Sequence, residues 1–196
     1  DILIAYPIFG ETKLRRVALL AAKKRITIAI DNMATAQAIS QAAQAAGSTI
    51  DLLVEIDVGM RRCGVATPEE AETLAKAINK LPGVRFAGLN LYPGHIWAPP
   101  AEQAVLLGQV AEKLAAVLDR LSQSGIECEI VSGGSTPSAY QSHLIAGLTE
   151  IRPGTYVFND RNTVGVDACS LTDCALRVIV TVVSNAVPGR AIVDGG

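Results

Sequence analysis

The sequence predicts an α/β protein built on a parallel sheet, and three observations carry that prediction. Strand-like runs that are apolar on both faces alternate with alanine-rich, helix-like runs along most of the chain. Such strands belong in a sheet covered on both faces, and a helix between successive strands makes their pairing parallel. Hydrophobic residues make up 49% of the 196 residues and charged residues 18%, so one sizeable core can form. Polar and small residues gather where the strand-like runs end, the edge at which barrel enzymes place their chemistry.

The elements follow in order. Residues 2–7 are an apolar run stopped by Pro7, and residues 11–24 have a helical pattern with Arg15, Arg16, Lys23 and Lys24. Residues 26–30 are β-branched and end in Asp31 and Asn32; residues 34–46 are helical by composition, with Gly47 placed to cap them. Residues 52–58 form a third strand ending at Gly59. Thr67, Pro68 and Glu70 then stand as N-cap, first-turn proline and reciprocal glutamate, a capping box that opens a helix to about Leu81. Residues 84–92 are a fourth strand, residues 100–124 a long amphipathic helix, and residues 127–131 and 150–158 the fifth and sixth strands.

From residue 176 the alternation breaks. Residues 176–183 are β-rich, residues 187–190 (VPGR) make a turn, and residues 191–193 start another strand. A strand, a turn and a strand with no helix between them indicate antiparallel pairing. The division expected is an α/β portion over residues 1–175 and the beginning of a β-rich C-terminal domain over residues 176–196. About six βα units are present where a closed barrel has eight. The fold class is therefore a partial TIM-type (β/α)8 barrel. The chain opens on a strand and stops inside one, so it reads as an internal portion of a longer protein.

Composition narrows the partners. A net charge of −2 gives no electrostatic reason to expect nucleic acid or an anionic membrane. No run approaches the roughly 18 consecutive apolar residues of a membrane span, and no cleavable signal is visible. Cys63, Cys128, Cys169 and Cys174 form no CxxC pair, and no histidine stands near Cys169 and Cys174 to complete a zinc site. They read as reduced thiols of a cytoplasmic protein, with Cys63 and Cys128 buried beside strands.

Two turns carry the strongest local chemistry. Residues 132–136 (SGGST) and 150–156 (EIRPGTY) each run from a strand end into small residues rich in N–H and hydroxyl donors. Donors of that kind cradle a phosphate, and the loops after the last barrel strands are its usual place. Taken alone, the same turns suit ordinary helix caps. Other strand ends carry residues 55–64 (EIDVGMRRCG) and 91–95 (LYPGH).

These four segments, in this order, resemble the fold-type III pyridoxal-phosphate enzymes, and are most similar to the D-threonine aldolase and D-serine dehydratase group. The resemblance spans essentially the whole chain. It implies that Arg62 stands near the phenolic oxygen of pyridoxal 5'-phosphate and that Arg152 faces the pyridine nitrogen. It implies phosphate contacts from Gly133, Gly134, Ser135, Thr136, Gly154 and Thr155; Arg61 has no assigned role. Tyr92 and His95 would contact the cofactor–substrate adduct, Tyr92 as a cofactor-binding and catalytic residue and His95 as the base for a hydroxyl proton, since imidazoles titrate near neutrality. A loop histidine making a structural hydrogen bond is the alternative for His95. His143 reads as structural.

The activity implied is cleavage of a D-3-hydroxy-amino acid to glycine and an aldehyde. The alternatives are D-serine dehydration, a non-catalytic pyridoxal-phosphate-binding barrel, and a phosphate-binding barrel unrelated to that cofactor. The family's Schiff-base lysine ends an early strand, whereas Lys13, Lys23, Lys24, Lys76, Lys80 and Lys113 all lie on helix-like or connecting segments. The resemblance thus puts that lysine before Asp1, and the ligands of a divalent metal beyond Gly196. The chain alone is expected to be inactive. A homodimer is a further implication, because sites in this superfamily often draw on two subunits.

Overall fold

Helices between successive strands force parallel pairing, and the strands fall in sequence order. The computed structural model describes residues 1–195. Strands β1 (Ile2–Ile4), β2 (Ile26–Ile30), β3 (Ile50–Ile56), β4 (Val84–Leu91), β5 (Ile130–Gly133) and β6 (Glu150–Ile151) form one parallel sheet in that order. Helices α1 (Glu11–Ala21), α2 (Met33–Ala45), α3 (Pro68–Ile78) and α4 (Gln103–Gln123) fill the first four crossovers. The result is a half-barrel, in agreement with the six βα units expected.

Local sequence explains the helix starts. Asn32 caps α2 by accepting the Thr35 N–H at 2.9 Å. Thr67 and Glu70 form the expected capping box on α3. The helix-side face of the sheet is apolar: Ile28, Ile30, Leu52, Val54, Ile56, Leu89 and Leu91 pack with Ile39, Ile78, Leu107 and Leu114 of the helices. Each such buried side chain contributes about 1.5–3 kcal/mol.

The other face of the sheet is more polar toward the strand ends. Register pairs Glu55 with Asn90, Asn90 with Ser132, and Ser132 with Glu150, so these four side chains share one layer of the interior face. A β-bulge puts Asn90 there. Leu52 pairs with Phe86 but Leu53 pairs with Gly88, so β4 gains one residue and changes phase. Gly88 has φ +146°, and a Cβ on it would lie 1.8 Å from the Ile130 carbonyl oxygen.

At the opposite ends of the strands, Asp51 is held by Arg25 and Arg85, which also reach Glu129. Asp51 is buried beneath two partly exposed arginines. Charge pairing at the N-terminal face of a barrel serves stability and leaves the other face to chemistry.

Two expectations need correction. The sixth strand does not reach residue 158: β6 stops at Ile151, and Thr155–Val157 is a 3-10 turn. Pro153 lacks an N–H for a ladder and Gly154 favours a turn, so the strand cannot continue. The fifth crossover holds a 3-10 segment, Ala139–Leu144. Cys63 and Cys128 are half-buried, not fully buried, and all four cysteines are free thiols. After β6, a short helix α5 (Arg161–Gly165) is capped by Asp160. Strands β7 (Val182–Ser184) and β8 (Ile192–Val193) then pair antiparallel, the pairing expected for that segment.

Candidate active site

The segment after β3 folds back on its own strand. Asp57 accepts N–H bonds from Gly59 (2.9 Å) and Arg61 (3.0 Å), while Val65 returns to bond Glu55 and Asp57 through the backbone. Burial disfavours the charged form of Asp57, but those two N–H groups, with Lys113 and His95, outweigh it and lower its pKa. Arg61 takes a left-handed φ of +54° at the tip of this hoop. Arg62, next along, is exposed and projects over the neighbouring strand end.

The segment after β4 meets it. The Arg62 guanidinium carbon lies 4.8 Å from the centroid of the Tyr92 ring, a cation–π contact. The Tyr92 ring covers Gly94, where a Cβ would lie 2.1 Å from the ring. His95 packs on Gly59 so closely that a Cβ there would be 2.9 Å from Nε2. Arg62, Tyr92 and His95 are thus brought together by two interlocked loops, each needing a glycine under an aromatic ring.

Arg152 sits on the adjacent strand ends. Its guanidinium donates to the Ser132 hydroxyl and, at 3.0 Å, to the Leu91 carbonyl, the residue before Tyr92. Ser132 in turn donates to Glu150. Burial lowers the Arg152 pKa, and Glu55 and Glu150 oppose that shift. An arginine stays charged through such a change, so Arg152 is a fixed cation at the base of the site.

The two phosphate-type turns lie side by side. The Arg152 N–H donates to the Gly133 carbonyl at 2.8 Å, and the Tyr156 N–H donates to the Thr136 hydroxyl at 3.2 Å. Gly133 is the last residue of β5, and a side chain there would strike Leu148 and Leu91. The Ser135 hydroxyl contacts that of Ser138 at 2.9 Å, so one of its valences is already used. Gly154 and Thr155 are exposed at the start of the 3-10 turn. A cleft of about 590 Å³ opens between the turns, lined by Thr136, Pro153, Tyr156, Tyr140 and Cys169. Arg62, Tyr92, His95 and Arg152 do not line it, so it reaches the turns but not the ring-contact side of the site.

Gln103 ties the two halves together. Fully buried at the start of α4, its amide donates to the Ala98 carbonyl (2.8 Å) and to the Pro137 carbonyl (2.9 Å). One carbonyl belongs to the His95 loop and the other to the loop after Thr136. His143, by contrast, bonds the Tyr140 carbonyl within its own 3-10 segment.

This arrangement of cations, donors and aromatic rings can be compared with known proteins. The profile described as alanine racemase, N-terminal domain, matches residues 3–162. The chain belongs to the alanine racemase N-terminal domain family. D-threonine aldolase of Arthrobacter sp. is 36% identical over the whole chain and 53% of its own length. D-threo-3-hydroxyaspartate dehydratase of Delftia sp. (strain HT23) is 33% identical over 87% of this chain and 46% of its own. The crystal structure of D-threonine aldolase from Filomicrobium marinum superposes with a TM-score of 0.84 at 31% identity, covering all of this chain and 54% of that one. The chain therefore spans about half the length of the curated relatives it matches.

Within this family member, the residues singled out from the sequence occupy the C-terminal strand ends, apart from His143 in its 3-10 segment. Glu55, Ser132 and Glu150 fall within the strand-end segments but, like Asn90 and Gln103, receive no role from the sequence. A polar residue near the C-terminal end of an apolar strand signals Glu55, Asn90 and Ser132. Nothing in the sequence around Gln103 signals its two carbonyl contacts.

Proposed function

We propose that this chain forms part of the active site of a pyridoxal-phosphate-dependent lyase acting on D-3-hydroxy-amino acids, cleaving them to glycine and an aldehyde. The observation that carries the reading is the meeting of Arg62, Tyr92 and His95 on one side with Arg152 and the two turns on the other. Two cations, hydroxyls and turn N–H groups form a donor set suited to a phosphorylated, anionic ring. When bound, pyridoxal phosphate supplies an electron-withdrawing ring that stabilises negative charge at the substrate Cα.

The chain's own residues have separable tasks. Arg62 would hold the phenolic oxygen as an anion, and Arg152 would face the ring nitrogen as a fixed cation that transfers no proton. Gly133, Gly134, Ser135, Thr136, Gly154 and Thr155 would hold the phosphate. Tyr92 orients the bound substrate, and His95 takes the proton of its 3-hydroxyl group. None of the six lysines stands on a strand; they lie in α1, α3 and α4 or just after them. We assign the covalent lysine to sequence outside this chain, and assign no metal ligand within it. On that reading the 196-residue chain alone turns over no substrate.

The longer protein, incubated with D-threonine, should release glycine and acetaldehyde in equal amounts. Conversion of D-serine to pyruvate without aldol cleavage would instead establish the dehydratase reading, which the likeness to the Delftia dehydratase supports.

A further inference from the structure

On the interior layer at the strand ends, the polar side chains are satisfied by the protein with one exception. Glu55 accepts the Cys63 thiol at 3.1 Å, and Ser132 lies between Arg152 and Glu150. Asn90 stands between Glu55 and Ser132 in register and is 1% exposed, yet its Oδ1 has no hydrogen-bond partner among the described residues. A buried amide oxygen without a partner is unfavourable, and folded proteins keep few of them.

The fold builds this position deliberately in physical terms. Without the bulge at Gly88, Leu89 would oppose Glu55 and Asn90 would turn toward the helices. The bulge requires a glycine, because a Cβ at residue 88 overlaps the Ile130 carbonyl. An apolar side chain could have followed the unbulged strand at no such cost. Asn90 also lies two residues before Tyr92 and next in sequence to Leu91, whose carbonyl holds Arg152. Its amide therefore lies on the interior layer, beneath the strand end that carries Tyr92 and holds Arg152.

We propose that Asn90 is a ligand-binding residue of this site, its amide hydrogen-bonding a polar substituent of the bound pyridoxal-phosphate ring. This role rests on the pyridoxal-phosphate reading and adds to it a contact from the barrel interior. An amide both donates and accepts, so it meets a neutral or anionic oxygen without adding a third charge beside Arg62 and Arg152.

The test uses the purified longer protein, freed of cofactor, with Asn90→Leu and Asn90→Ala variants. Pyridoxal phosphate binding is followed by absorbance and by quenching of Trp97, the single tryptophan. Thermal unfolding of the ligand-free proteins is recorded alongside. The expected result is an affinity at least tenfold weaker in both variants, with an unfolding temperature equal to or above wild type in at least one. An affinity within twofold of wild type overturns the assignment. So does a large fall in unfolding temperature in both variants, which would make the amide a structural group. If wild type itself fails to bind pyridoxal phosphate, the cofactor reading falls, and the Asn90 contact with it; that outcome is distinct from a variant that binds normally.

Discussion

The guanidinium of Arg62 lies over the ring of Tyr92, 4.8 Å from its centroid, and so joins the loop after β3 to the loop after β4. A flat cation on an aromatic face is held in orientation as well as in place, which a lysine ammonium on a flexible stem would not reproduce. Replacing Arg62 by Lys should therefore weaken pyridoxal phosphate binding by about tenfold, or about 1.4 kcal/mol, in the longer protein. Arg62→Met should weaken it further. Titration followed by absorbance checks both, and equal affinity for the Lys variant would contradict the stacking role.

Gly59→Ala tests the His95 seat. The added Cβ would lie 2.9 Å from Nε2, and φ at this position is +134°, which L side chains rarely adopt. Strain in such a conformation costs of order 1–3 kcal/mol. Urea unfolding should show a loss in that range. A displaced base should lower kcat of the longer enzyme at least tenfold with a smaller change in KM; an unchanged kcat would separate His95 from the chemistry.

Gln103→Leu should remove both amide donors while keeping a similar volume. The Ala98 and Pro137 carbonyls would be left unpaired, at about 1–3 kcal/mol for each unsatisfied buried group, while the Gln103 Oε1, itself buried without a partner among the described residues, would be removed. A net destabilisation of roughly 1–3 kcal/mol on that basis is expected from chemical denaturation, together with weaker cofactor binding. A loss below about 0.5 kcal/mol, the range of an ordinary surface change, would show that the two loops hold without the clamp.

Stability should fall in acid through Glu72, which bridges α3 and α4 by contacts with Lys76, Arg120 and Ser124. The hydrogen bonds from Lys76, Ser124 and Arg120 hold its carboxyl down to about 2, against an ordinary value of 4.5. A folded-state pKa below the unfolded value gives stability that is fully present above about pH 5 and lost as pH falls toward 2. Glu72→Gln should flatten the pH dependence of the denaturation midpoint across that window. An identical slope in the variant would remove Glu72 as the source.

Much of the framework was readable because its causes are local. Runs such as residues 26–30 and 52–58 are apolar on both faces, which covered parallel strands require, and the Thr67–Glu70 box announces its helix within four residues. The sixth strand was read too long because Tyr156, Val157 and Phe158 favour strands by type, while Pro153 and Gly154 had already ended the ladder. In the site, Arg62, Tyr92, His95 and Arg152 stood out by position at strand ends. Ser132 and Glu150 did not, because their bonds to Arg152 depend on β5 and β6 being neighbours.

By itself the sequence determined an alternating α/β chain with small and polar residues at the C-terminal strand ends, since periodicity, caps and turn chemistry act over a few residues. Tertiary structure alone decided which of those polar groups meet. Register placed Glu55, Asn90, Ser132 and Glu150 in one layer, and a single bulge turned Asn90 inward. The physical reason is that strand side chains alternate with period two, so one inserted residue moves every later side chain to the other face. That inversion follows from the pairing of β4 with β3 and β5, which no local stretch of sequence records.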